Sequence, residues 1–303
     1  MTTAETEYAD DELVRTISTD GSISVRTLVA RNLVAEAAER RPLAPTALSA
    51  LGRVLTGAVL LGTGPASKNE DDIETIQLQF RGNGPLGMIV AICDSMGRVR
   101  GTVSEPSVDL PLRDGQPDIA EAIGLGTLSV VRSRPSWREP YTGTVPLASG
   151  EIAGDLALYL SESEQIPSAV GLGVALSSQA RIDAAGGFLV QSLPGADEEA
   201  VARMEQNVLG LPSTSALLRD GVRADGLADL LLAGLGSSQL HRSTPVFHCP
   251  CSRERALRTL RLLGADEMQE IVDGGEAQEV CCEFCGRRYL LACDEVAPLL
   301  AVT

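Results

Sequence analysis

The distribution of cysteine constrains this chain more than any other feature of its sequence. Six of the seven cysteines lie after residue 248 of 303, and four of them form two close pairs, Cys249 with Cys251 and Cys282 with Cys285. Two such pairs can bring four thiolates around one ion, and zinc favours soft sulfur ligands in closed tetrahedral sites. The spacing therefore predicts one zinc ion per chain, held by these four cysteines.

The three remaining thiols are not predicted to bind the metal. Cys281 adjoins Cys282, and in an extended segment the side chains of neighbours point to opposite faces. Cys282 is favoured as the ligand because it leaves two residues before Cys285, the spacing of a tight metal knuckle. Cys93 and Cys293 are isolated in the sequence and are expected to be small buried hydrophobic residues.

The chain has few candidate catalytic residues, because it contains two histidines in all, His241 and His248. A serine or cysteine triad would have to be built around them, close to thiols that metal binding explains better. His248 remains an alternative metal ligand, although complete four-sulfur sites do not need it. Residues 82–87 match the pattern GxGxxG, but a strand-like run follows where a dinucleotide site requires a helix. We therefore predict that the chain is not an enzyme.

Charge and the absence of sorting signals point to a soluble protein of the cytoplasm. The formal net charge of −16 argues against a nucleic acid or an anionic membrane as partner. Residues 1–13 lack the basic and apolar regions of a secretion signal. The apolar stretch from Ala47 to Gly64 includes Arg53 and is too short to span a bilayer, so we expect a buried helix. In the cytoplasm thiols stay reduced, which favours metal or redox chemistry for clustered cysteines.

Upstream of the cysteines, the hydrophobic pattern predicts an α+β domain over residues 1–194, built on antiparallel strands. Helices are expected from Val25 to Arg41, from an N-cap at Thr46 onwards, and around residues 152–160. Strands are expected over residues 76–80, 88–93, 98–103, 128–131 and 141–147, with a closing hairpin of 171–177 and 187–193. The short connections between the strands indicate an antiparallel sheet with helices packed against it.

Residues 195–247 are predicted to form a helical linker, and residues 248–303 a small zinc-binding domain. The linker is rich in leucine and interrupted by glycine and proline. Helices this short are marginal in water, so their apolar side chains need a covering surface, for which the preceding sheet is available. Those expected to be covered include Val201, Leu227, Leu230 and Leu231. In the tail, a helix is expected from Arg253 to Leu263 and a turn at 273–275.

The motifs around the cysteines resemble those of a known family. Residues 249–255 read CPCSRER, residues 279–286 read EVCCEFCG, and Tyr289 follows. These residues closely resemble the heat-shock protein 33 family of redox-regulated chaperones. The resemblance continues upstream through GNGPL at 82–86, RVRG at 98–101, YTGTV at 141–145, SEQIP at 163–167 and GGFLVQ at 186–191, and so covers about residues 11–300. Cys281, Cys293 and a modest N-terminal extension depart from the family pattern.

The resemblance implies that residues 1–194 are a substrate-binding core, residues 195–247 a metastable helical linker and residues 248–303 a zinc-binding redox-switch domain, and it implies both an activity and its regulation. It implies a holdase, independent of ATP, that is inactive while reduced and zinc-bound and that binds unfolded or oxidatively damaged proteins after disulfide formation and zinc release. In similar proteins neighbouring thiols pair, which implies disulfides Cys249–Cys251 and Cys282–Cys285, although Cys281 leaves the choice of partner open. A homodimer in the activated state is a further expectation of this resemblance.

Two rival interpretations stay open. A zinc-ribbon module could bind a partner without redox switching, but residues 248–303 hold 6 arginines against 10 acidic residues, so their charge of 6 − 10 = −4 disfavours nucleic acid. A thiol oxidoreductase would carry its CxxC motif beside a βαβ unit, whereas here the motif lies in a small tail.

Overall fold

The computed structural model describes residues 10–64 and 71–300, which divide into two compact units with the boundary between Phe247 and His248. Both units mix helices with antiparallel strands. The first unit contains, in chain order, β1 (Glu12–Ile17), β2 (Ile23–Val29), α1 (Arg31–Arg40), α2 (Pro45–Gly62), β3 (Thr75–Gly82), β4 (Met88–Asp94), β5 (Arg98–Val103), β6 (Leu112–Arg113), β7 (Gln116–Pro117), α3 (Ile119–Ile123), β8 (Gly126–Ser133), β9 (Tyr141–Pro146), α4 (Ala153–Glu162), β10 (Ser168–Leu176), β11 (Ile182–Ser192), α5 (Glu198–Leu209), α6 (Thr214–Arg219), α7 (Ala224–Leu231), β12 (His241–Ser243) and β13 (Val246–Phe247).

Two large sheets organise this unit. One has the strand order β10-β11-β2-β1-β12 and the other the order β13-β5-β4-β3-β8-β9; β13 pairs with β5 in parallel, and every other pair is antiparallel. Helix α2 packs against strands of both sheets. It is the one helix in the described ranges with the length and apolarity to cross a membrane, but 83% of it is buried inside this unit. The expectation of a buried core helix is confirmed.

The strands predicted by alternation are confirmed, whereas two predictions near the N-terminus are wrong. Residues 25–29 belong to β2, in the middle of the first sheet between β1 and β11, and the helix begins only at Arg31. Thr46 does not cap α2, which begins one residue earlier. Instead the carboxylate of Asp109 accepts hydrogen bonds from the backbone amide of Thr46 at 3.2 Å and from its hydroxyl at 3.0 Å. The carboxylate of Asp109, which lies outside the helix, therefore supplies the hydrogen-bond acceptor for a backbone amide in the first turn of α2.

The linker helices α5, α6 and α7 pack on the first sheet, as the sequence predicts. Their buried residues form one apolar cluster with side chains of β1, β2, β10 and β11; it includes Val14, Ile23, Val25, Phe188, Val190, Met204, Leu217, Leu218, Leu227, Ala228, Leu231 and Leu232. Leu227 and Leu231 are 0% exposed, and Val201 is half-buried against the cluster. Leu230 is 42% exposed, so the expectation that it is covered is wrong. The helical spacing of α7 places Leu227 and Leu231 on one face and Leu230 beside it.

The end of the linker is held by two short strands that the sequence did not predict. β12 adds to the free edge of β1 in the first sheet, and β13 adds in parallel to the edge of β5 in the second. Arg242 of β12 forms ion pairs with Glu12 at 2.6 Å and with Asp225 of α7 at 2.9 Å. The segment from His241 to Phe247, which we call the strap, thus joins both sheets.

The second unit is built around a hairpin. It contains α8 (Arg253–Leu260), α9 (Ala265–Gly274), β14 (Gln278–Cys281), β15 (Arg288–Leu291) and α10 (Cys293–Leu300). Its small core comprises Ala256, Leu260, Leu291 and Val296. The turn expected at 273–275 is wrong, because Asp273 and Gly274 complete α9 and Gly275, at φ 68°, forms its left-handed C-cap. Glycine suits that position because it has no Cβ to oppose a positive φ.

Candidate metal centre

The two cysteine pairs lie in two separate segments of the second unit. Cys249 and Cys251 lie just before α8, whose first turn is capped by the hydroxyl of Ser252, which accepts a hydrogen bond from the amide of Arg255 at 3.2 Å. Cys282 and Cys285 lie in the turn that joins β14 to β15. That turn is closed by the hydrogen bond from the amide of Gly286 to the carbonyl of Cys282 at 2.8 Å.

The four sulfur atoms converge on one point. All lie within 4.8 Å of one another, with 3.6 Å between the sulfurs of Cys249 and Cys282 and 3.4 Å between those of Cys251 and Cys285. A tetrahedral zinc ion with Zn–S bonds of about 2.3 Å has sulfur–sulfur edges of about 3.8 Å. The donor set and its dimensions therefore fit a zinc ion. In the described part of the chain, His248 does not belong to this group.

Hydrogen bonding distributes negative charge unevenly within the cluster. Burial works against ionisation of Cys251, but hydrogen bonds from the hydroxyl of Tyr289 and from the other three thiols lower its pKa to about 7. The Tyr289 hydroxyl donates to the sulfur of Cys251 at 3.2 Å. Burial, reinforced by hydrogen bonds with its neighbouring thiols, raises the pKa of Cys249. The hydroxyl of Tyr289 thus favours the thiolate form of Cys251.

An ion pair fixes the helix that follows the first cysteine pair. The guanidinium of Arg253 in α8 binds the carboxylate of Glu295 in α10 and donates to the carbonyl of Leu290 in β15 at 2.8 Å. Arg253, followed by the backbone amide of Ala292, lowers the pKa of Glu295 to about 2. These contacts tie α8 to the hairpin that carries the second cysteine pair.

The other three thiols lie outside the cluster. Cys281 is exposed, and its sulfur lies 3.7 Å from the carbonyl of Gly286. Cys93 is 0% exposed, as expected of a buried hydrophobic residue, and burial raises its pKa well above its usual value. Cys293 is half-buried and its thiol donates to the carbonyl of Glu276 at 3.2 Å, so the expectation of a buried hydrophobic residue is wrong there.

The residues that support the cluster were not predicted from the sequence. Arg253 and Tyr289 belong to the motifs that carry the resemblance, but spacing alone assigns them no contact. Tyr289 reaches Cys251 because it pairs with Val280 in the hairpin, a register that the sequence does not reveal. Glu295 gives no signal in the sequence that distinguishes it from other acidic residues.

Comparison with known proteins gives a consistent picture. A family model described as Hsp33 protein matches residues 11–292. The chain is 43% identical to the 33 kDa chaperonin of Geobacter sulfurreducens, covering 95% of this chain and 94% of that protein. It is 42% identical to the 33 kDa chaperonin of Thermus thermophilus, covering 95% of this chain and 86% of that protein. The crystal structure of the 33 kDa chaperonin of Thermotoga maritima matches with a TM-score of 0.87 at 35% identity, covering 97% of this chain and 99% of that one.

Proposed function

Because the chain belongs to the Hsp33 family, we propose that it is a redox-regulated, ATP-independent holdase of the cytoplasm. The reduced form holds zinc and is inactive, and the oxidised form binds unfolded or oxidatively damaged proteins and keeps them from aggregating. The supporting observation is the convergence of four thiols from two distant segments within 4.8 Å. In this proposal residues 1–194 form the substrate-binding core, residues 195–247 the linker and residues 248–303 the redox domain.

The four cysteines would be the ligands of one zinc ion per chain. When bound, the ion keeps the thiols deprotonated and joins the first cysteine pair to the hairpin. Structural zinc supplies an apparent ~10–16 kcal/mol of folding free energy in small domains. The second unit has a small core, centred on Ala256, Leu260, Leu291 and Val296. Such a unit depends on its ligands for stability, since small domains bury too little apolar surface to be stable alone.

Oxidation removes these ligands in two steps. One thiolate attacks peroxide, forming a sulfenic acid and releasing hydroxide, and a second thiolate then attacks that sulfur, forming a disulfide and releasing a second hydroxide. Two thiolates are thereby oxidised for each peroxide reduced. We assign the pairs Cys249–Cys251 and Cys282–Cys285 by similarity to the family. The sulfurs of each pair already lie within 4.8 Å, so a modest movement brings them together.

Loss of the folded second unit would release the linker. Helices α5 to α7 are short, and isolated helices of this length are marginal in water. Their undocking uncovers Val14, Ile23, Val25, Phe188 and Val190 on the first sheet together with their own leucines. Contiguous apolar patches of this kind are the surfaces that bind unfolded chains. A homodimer of the active form would be a second way to cover part of this surface.

The test is an aggregation assay with a thermally unfolding client, in which light scattering is followed with the reduced and with the peroxide-treated protein. We expect protection only after oxidation, in parallel with zinc release to a chromogenic chelator and loss of four thiols. Peptide mapping of the oxidised protein identifies the disulfide pairs.

Protection that is equal before and after oxidation would refute the redox switch. The rival zinc-ribbon module predicts no protection in either state, and the charge of −4 on residues 248–303 already disfavours nucleic acid as its partner.

A further inference from the structure

The first strand of the strap is held to the edge of β1 through its backbone and one charged side chain. β12 pairs with residues 13–15 of β1, and all three of its side chains are exposed. Arg242 adds the ion pairs with Glu12 and Asp225. A sheet edge presents backbone N–H and C=O groups that an extended chain can pair with whatever its side chains. The edge of β1 is therefore suited to an extended segment that carries a positive charge.

The second strand of the strap is held by an aromatic ring. β13 pairs in parallel with the edge of β5, and the amide of Val246 donates to the carbonyl of Gly97 at 3.0 Å. Val246 is 45% exposed, whereas Phe247 is 7% exposed. The guanidinium of Arg40 in α1 lies over the Phe247 ring, 5.1 Å from its centroid. Because a guanidinium attracts the face of an aromatic ring, this position favours an aromatic side chain.

Most of the groups that receive the strap belong to residues 1–194. These are β1, β5 and α1, whereas Asp225 lies in the linker helix α7 and would leave with it. Glu12 would stay at the edge of β1, and its ion-pair partner in the docked form is Arg242 at 2.6 Å. Departure of the strap would thus leave two strand edges, one carboxylate and the site of one aromatic ring without their partners.

We propose that the edges of β1 and β5 that the strap covers are binding sites for an extended segment of an unfolded client, and that the strap occupies them in the reduced protein in place of that segment. This inference rests on the proposed function and adds where and how the client binds. The segment adds as a strand, with a basic side chain against Glu12 and an aromatic ring five residues further on, as in Arg242 and Phe247 of the strap.

Backbone pairing and charge both favour this partner. Main-chain hydrogen bonds do not depend on sequence, which suits unfolded proteins that have no sequence in common. The net charge of −16 on the chain attracts basic segments. Because the strap and a client segment exclude each other, release of the strap is a condition for binding.

The test uses the full-length protein and a fluorescein-labelled peptide with the sequence of residues 240–247, LHRSTPVF. Fluorescence anisotropy measures its binding to the oxidised and to the reduced, zinc-loaded protein. We expect saturable binding to the oxidised form and binding to the reduced form that is weaker by roughly 10-fold or more, because the open edges are sparsely populated there. Reduced, carboxymethylated lactalbumin, which is permanently unfolded, should displace the peptide. Phe247→Ala in the peptide should weaken binding roughly 10- to 100-fold, the range for loss of one buried aromatic side chain.

A charge exchange tests the position of the basic residue. Glu12→Arg in the protein should weaken binding of the parent peptide by up to roughly 5-fold, and Arg242→Glu in the peptide should restore it. Glu162→Arg is the matched control, because Glu162 is exposed on α4, far from β1 in sequence, and undergoes the same change of charge. It should bind the parent peptide as the unsubstituted protein does. If Glu12→Arg does not fold, the two substituted peptides still test both positions on the unsubstituted protein.

Light scattering of the unfolding client on the same oxidised sample tests the proposed function separately. Protection without peptide binding, equal binding of all peptides, or a bound peptide that lactalbumin does not displace would overturn the strap edges as the client site and leave the holdase function standing. Peptide lost to a dimer at rising protein concentration would also overturn it, because a second copy of the chain would then be the occupant. Absence of protection would refute the holdase function and this inference with it.

Discussion

Loosening the linker without touching a cysteine should activate the reduced protein. Leu227 and Leu231 of α7 are both 0% exposed in the apolar cluster on the first sheet. Replacing a buried leucine by alanine costs about 2–5 kcal/mol, because transfer free energy is lost and a cavity remains. A loss of about 2.7 kcal/mol changes a two-state ratio about 100-fold. The double variant Leu227→Ala/Leu231→Ala should therefore populate the undocked linker while zinc stays bound.

The assay is light scattering of a heat-denatured client with the reduced variant, with zinc content and limited proteolysis of the linker measured on the same sample. The matched control is Leu230→Ala in the same helix, since Leu230 is 42% exposed and its truncation should leave the linker docked. We expect partial protection by the double variant and none by the control. Full zinc occupancy with a cleaved linker and no protection would refute the reasoning, because undocking would then be insufficient for client binding.

Cys249→Ser or Cys282→Ser should abolish stable zinc binding, whereas Cys93→Ser should retain one zinc ion per chain. Metal analysis after dialysis measures the zinc content of each variant. A Cys282→Ser protein that keeps its zinc would contradict the ligand set. The buried carboxylate of Asp155 accepts hydrogen bonds from the backbone amides of Ala148 and Ser149. Asp155→Ala should therefore destabilise the first unit in urea unfolding by about 1–3 kcal/mol for each amide that loses its partner. Burial raises the pKa of Asp11 above 3.8, so the folded state binds the proton more tightly than the unfolded state. The stability of the parent protein relative to Asp11→Asn should therefore fall as pH rises from 3.8 through the folded-state pKa, and a difference that grows with pH would contradict this.

Features that depend on local pattern could be predicted from the sequence, and features that depend on distant pairing could not. Alternation defined β3, β4 and β5, and the apolar run of α2 indicated a core helix. The helix predicted from Val25 failed because no glycine or proline separates β2 from α1, so that the strand and the helix read as one segment. β12 and β13 are two or three residues long and exist because distant strands offer free edges.

The same distinction holds at the cysteine cluster. The spacing of the two pairs is a local signal, and it was enough to propose the ligand set and to prefer Cys282 over Cys281. The contact of Tyr289 with Cys251 depends on the register of the β14–β15 hairpin, and that of Arg253 with Glu295 on the packing of α8 and α10. Exposure of Leu230 likewise depends on how α7 lies on the sheet, which helical periodicity alone does not determine.

The strap makes docking of the linker cooperative. Once residues 241–247 leave the two sheet edges, their return must close a loop of roughly 45 residues, at an entropic cost of about 3 kcal/mol. The two short strand pairs of the strap and the ion pairs of Arg242 with Glu12 and Asp225 offset little of that cost, since exposed ion pairs contribute about 0–1 kcal/mol each. Re-docking of the strap therefore needs α5, α6 and α7 to settle on the sheet at the same time, so that intermediate positions are sparsely populated and the linker returns as one unit.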